Sequence, residues 1–175
     1  MKVGRFITAF LVTMLLLLFF EMMATAIIPA LGIVKYRPLF YMLIVIFLAF
    51  KLETPLLPLM ILSIQWLHSA FTIEGWAIGT FAGILTSIAI GSLKDLMHFN
   101  SKFVTMVSVQ LLLFFWFIVE SVLLYVKVEE FRYIVERFKL FFPESIVLAI
   151  ISPFIFSILD RLWKDPEEDK MGVDV

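Results

Sequence analysis

The sequence predicts an all-α polytopic membrane protein of about six transmembrane helices, and three observations carry that prediction. Hydrophobic residues make up 62% of the 175 and the mean hydropathy is +1.05, where a soluble domain is about half apolar. The charged fraction is 17%, against about a quarter in soluble domains. Those charges are bunched, which leaves apolar runs longer than a soluble core of this size buries. The solvent for most of this surface is therefore lipid, and the lipid bilayer is the first expected partner.

The net charge of -1 provides no basic field to attract nucleic acid. The absence of cysteine excludes a disulfide framework, a thiolate nucleophile and a cysteine metal site.

The first apolar run covers residues 6–30. Lys2 and Arg5 precede it, which reads as a helix with a cytoplasmic N-terminus. The run also resembles a signal peptide, with Ala24, Thr25 and Ala26 as a small-residue site, but it continues through Ile27 and Ile28 and is expected to stay uncleaved. A second run, residues 39–50, is too short for a bilayer core of roughly 30 Å and must borrow length or sit among longer neighbours. Thr54 and Pro55 form a helix start, because threonine caps and proline has no N–H to leave orphaned. Helix three is thus expected over 55–71, helix four over 75–93 and helix five over 103–126.

The interval 127–144 is the longest polar stretch, yet Phe131, Ile134, Val135, Phe138, Phe141 and Phe142 recur at three- and four-residue steps. This pattern predicts an amphipathic helix on the membrane surface between helices five and six, with Glu130, Arg132, Glu136, Arg137 and Lys139 on its polar side. The last helix is expected over 145–163, with Glu144 at its positive end and a kink at Pro153. One transmembrane domain, 1–164, is followed by a charged tail, 165–175. Six spans place both termini on one side, and Lys2, Arg5, Arg161 and Lys164 assign that side to the cytoplasm.

Only His68 and His98 are histidines, and neither has carboxylates at the spacing a metal site on one helix uses. No nucleophile triad, phosphate loop or dinucleotide fingerprint appears, so no cofactor is expected and a non-enzymatic role is. Glu21, Gln65, His68 and Glu120 lie inside apolar spans, where unpartnered polar groups are expensive, so they are expected to face protein. Gln65, His68 and Ser69 share a helical face that can reach Glu21 or Glu120. Such a set serves either as interhelical glue or as a small-ligand or proton site. Helix four carries Gly75, Gly79, Gly83, Ser87 and Gly91 at four-residue steps, a small-residue ridge that lets another helix approach. Spacing leaves open whether that helix is internal or belongs to a partner.

The order of features resembles the bacterial rod-shape-determining protein MreD family. The marks are Arg37 and Pro38 opening helix two, the segment from Gln65 through Trp66, Leu67, His68, Ser69 and Ala70 to Gly75, and Ser152 and Pro153 leading to Asp160, Arg161 and Leu162 before a basic end. The family usually has an aspartate where Gln65 stands and a glycine where Ser69 or Ala70 stands, and this chain departs from the pattern at both. The resemblance implies a six-helix fold similar to the S components of energy-coupling-factor vitamin transporters. It also implies a scaffold in the bacterial inner membrane, bound to the single-span protein MreC and through it to the actin-like MreB, a RodA-type polymerase and a class B penicillin-binding protein. The alternative is a true S component that binds a vitamin-like molecule, which needs polar groups converging on a cavity. A proton-coupled carrier using Glu21 and Glu120 is a third reading, but the chain lacks the paired halves or broken helices of one.

Overall fold

The computed structural model describes residues 3–32, 36–72, 75–94 and 101–164. The tail 165–175 and the turn holding His98 lie outside the described residues. Among those described there is no strand; six helical segments form one bundle.

Helix α1 runs over Val3–Ala30 and contains a π-helical turn at Met23–Ile27. Pro29 explains that turn, since it lacks an N–H and its ring crowds the carbonyl four residues back. The chain widens by one residue, and the Ile28 N–H bonds to the Met23 carbonyl.

Helix α2, Phe40–Lys51, is apolar all round, and every residue from Tyr41 to Ala49 is buried. Its 12 residues span about 18 Å, yet it touches all five other helices and is the axis of the bundle. The short length is accommodated because the neighbouring helices bury the whole of Tyr41 to Ala49.

Helix α3, Leu57–Ser69, starts two residues later than the Thr54 and Pro55 pattern suggests. The Thr54 hydroxyl accepts the Leu56 N–H at 3.3 Å in the preceding turn, and Pro58 stands in the first helical turn in place of Pro55. Helix α4, Trp76–Leu93, follows Gly75, whose φ of 78° suits glycine and few other residues. Helix α5, Lys102–Val128, is capped by the Ser101 hydroxyl, which accepts the Val104 N–H at 3.2 Å. It ends on Glu129 in the left-handed region at φ 55°.

Helix α6 corrects the expected surface helix. Residues Phe131–Trp163 form one continuous helix that contains both Pro143 and Pro153. Part of the apolar face of its first half packs on α5, where Phe117 stacks on Phe141 with centroids 4.5 Å apart and Phe114 lies against Phe138, Phe141 and Phe142, while Phe131, Val135 and much of Phe138 and Phe142 stay exposed. The Gln110 amide donates to the Ser145 hydroxyl at 2.9 Å further along the same antiparallel pair. With 27 and 33 residues these helices are about 40 and 50 Å long, more than a bilayer core of about 30 Å requires.

Four helices, α1, α4, α5 and α6, are long and apolar enough to cross a membrane. Their outward residues, such as Leu11, Leu15, Ile88, Leu111 and Ile150, are exposed and apolar, as lipid contact requires. The chain is a helical membrane protein. At one end Arg5 reaches the Lys164 carbonyl, Lys51 pairs with Asp160 at 2.6 Å, and Lys94 pairs with Glu53. The Trp163 indole donates to the Thr13 hydroxyl at 3.1 Å and ties α6 to α1 there.

Candidate functional site

The opposite end gathers the end of α1, the start of α2, the end of α3 and the hairpin of α5 and α6. Glu21 is 2% exposed. Its Oε1 lies 2.7 Å from His68 Nδ1 and its Oε2 is 3.3 Å from Arg37 Nη2. The Tyr41 ring lies over the imidazole at 3.9 Å between centroids. Arg37 also donates its backbone N–H to Glu144 Oε1 at 2.6 Å. A single carboxylate thus joins α1, α3 and the segment before α2, and that segment is tied in turn to α6.

Glu120, on α5, pairs with Arg137 of α6 at 3.1 Å. The sequence reading put Arg137 on the polar outer side, and the structure corrects this. At three residues past Ile134 and four before Phe141, it lies on the inward stripe that continues through Ser145 and Leu148.

Between the two ion pairs Gln65 is 1% exposed, and its Nε2 has no hydrogen-bond partner. Gln65, His68, Thr72, Gly79 and Glu120 surround a void of about 10 Å³, the space of roughly one water molecule. Three of the four intramembrane polar residues singled out from sequence, Gln65, His68 and Glu120, line this void, and the fourth, Glu21, is joined to it through His68. Ser69 does not join them, since its hydroxyl turns back to the Trp66 carbonyl at 2.7 Å.

A larger cavity of about 520 Å³ opens beside this network. Its polar walls are Arg37, His68, Thr72, Arg137 and Glu144, with the Tyr41 ring beside them, and its apolar walls include Leu39, Phe71, Leu140 and Phe141. Compared with known proteins, the chain matches no family model, no curated protein and no solved structure.

The small-residue ridge of α4 divides. A Cβ on Gly79 would run into Gln65 Oε1, and one on Gly83 would lie 2.8 Å from both Ile61 Cγ2 and Trp116 Cη2. Ser87 is buried, and its hydroxyl donates to the Ile84 carbonyl at 2.8 Å. Gly75 and Gly91 are exposed, with nothing within 4 Å of an added Cβ. Helix geometry explains the split: four residues advance about 400°, so each step drifts about 40° and the two end glycines face away from the centre of the ridge. Gly79 and Gly83 lie against α3 and α5 of this chain.

Arg37, Arg137 and Glu144 were not among the candidate site residues drawn from sequence. A signal existed for Arg137, its place on the Ile134 and Phe141 spacing. Charge alone assigned it to solvent.

Proposed function

We propose that this chain is a non-enzymatic scaffold of the bacterial cell-elongation machinery, with six membrane-crossing segments arranged as in S components and both termini in the cytoplasm of an inner membrane. The observation that supports a scaffold is that Glu21, His68 and Glu120 are each held by a residue of another segment of the same chain. Groups so paired fasten helices together. What the molecule presents outward is helix surface, above all the long α5 and α6 hairpin, whose exposed residues Ile118, Val122, Tyr125, Phe131 and Phe138 run to its tip. An MreC-like single-span protein is the proposed first partner, with a RodA-type polymerase and a class B penicillin-binding protein reached beside it. The test is co-purification of tagged full-length chain from native membranes: an MreC-like partner retained through detergent extraction supports the reading, and its absence from a stable, folded preparation counts against it.

One observation favours the second reading, a small-molecule-binding S component. Arg37, His68, Arg137 and Glu144 converge on an open cavity of about 520 Å³, within the range of ligand sites. Uptake of a vitamin that falls when the chain is removed, with cell shape unchanged, would favour it.

A further inference from the structure

The cavity beside Arg37 has a lining that discriminates among ligand charges. Arg37 and Glu21 neutralise each other, as do Arg137 and Glu120, and Glu144 is a further carboxyl group that accepts the Arg37 backbone N–H and lies near both guanidiniums. A plain anion would meet two guanidiniums but also that carboxylate. A plain cation would meet Glu144 and leave the guanidiniums unused. Arg37 in particular has donors to spare: Glu21 engages Nη2 at 3.3 Å, longer than the roughly 2.7–2.9 Å of a strong charge-assisted bond, and its buried Nε has no partner.

We propose that this cavity binds a zwitterionic head group, its phosphate or carboxylate taken by the guanidiniums of Arg37 and Arg137 and its ammonium by Glu144. The apolar walls, Leu39, Phe71, Leu140 and Phe141, take the hydrocarbon next to that head group. The cavity lies at the ends of α1 and α3, where a membrane-embedded bundle meets the head-group layer, so an amphiphile of the phosphoethanolamine type can enter from lipid. A free zwitterion of the same chemistry can enter from water. The inference stands on the lining itself and does not rest on the scaffold reading.

The test uses full-length protein in a maltoside detergent, titrated with lysophosphatidylethanolamine and, separately, lysophosphatidylglycerol, with bound lipid counted by native mass spectrometry. The ethanolamine lipid should saturate at one copy and bind about tenfold tighter than the glycerol lipid, a difference of about 1.4 kcal/mol. Glu144→Gln keeps an acceptor for the Arg37 N–H and should remove that preference while leaving glycerol-lipid binding at least as strong. Ala70→Trp fills the exposed mouth without touching an ion pair, and should weaken both lipids while the melting temperature holds. Free O-phosphoethanolamine that displaces the lipid at millimolar concentration supports the site with a water-borne ligand; failure to displace supports it with a lipid. Equal affinity for the two lipids in the native chain, or a preference that survives in folded Glu144→Gln, would overturn the proposal.

Discussion

The Nδ1 atom of His68 lies 2.7 Å from Oε1 of Glu21, which joins α3 to α1 at a point where both side chains are more than nine-tenths buried. Arg37 supplies the second contact to the same carboxylate. A buried carboxylate deprived of a partner keeps its full desolvation penalty.

From that relationship, His68→Leu should destabilise the protein by about 1–3 kcal/mol, more than an exposed histidine would cost. Glu21→Gln should cost less, since the amide still bonds. The double variant should be less damaging than the sum, with a coupling of about 0.5–3 kcal/mol in a thermal-melting cycle in detergent. Strict additivity would show that the two residues do not support each other.

On α4, Gly83→Ala places a methyl 2.8 Å from Ile61 and Trp116, both fully buried. Overpacking of this kind costs about 1–3 kcal/mol, and Gly83→Leu should cost more. Gly91→Ala meets open space and should be neutral or gain a few tenths of a kcal/mol from helix propensity. The yield of folded protein on size exclusion measures both. Equal tolerance at the two glycines would mean that the ridge does not pack on α3 and α5.

The continuous α6 predicts a labelling pattern. Single cysteines at Arg132, Glu136 and Lys139, all exposed, should react with a membrane-impermeant maleimide, while cysteines at Arg137 and Phe141 stay protected. A cysteine at Arg137 as reactive as one at Glu136 would contradict its pairing with Glu120.

These tests separate what was legible in the sequence from what was not. Apolar runs and local start signals located the helices, because a membrane forces backbone groups to pair within each segment and so writes each span as a run. The interior places of Glu21, Gln65, His68 and Glu120 were legible for the same reason: a polar group inside an apolar span has to face protein. Their partners were harder to read. Arg37 and Arg137 come from segments distant in sequence, and hydropathy does not say which helix a charge will meet. The break expected before Ser145 was misleading because the polar residues of 127–144 set that stretch apart as a separate surface helix, whereas it runs on into the last helix, with the Phe114 and Phe117 contacts holding Phe138 and Phe141 on α5. The glycine ridge looked continuous on paper because a four-residue period was read as a straight line, and the drift of about 40° per step turns its ends outward.

The measurement closest to the central claim is controlled depletion of the chain in its own cells, with cell shape and vitamin uptake followed together. The scaffold account predicts rounded cells with uptake unchanged. Rods that keep their shape after complete depletion, with uptake of a vitamin lost, would contradict it.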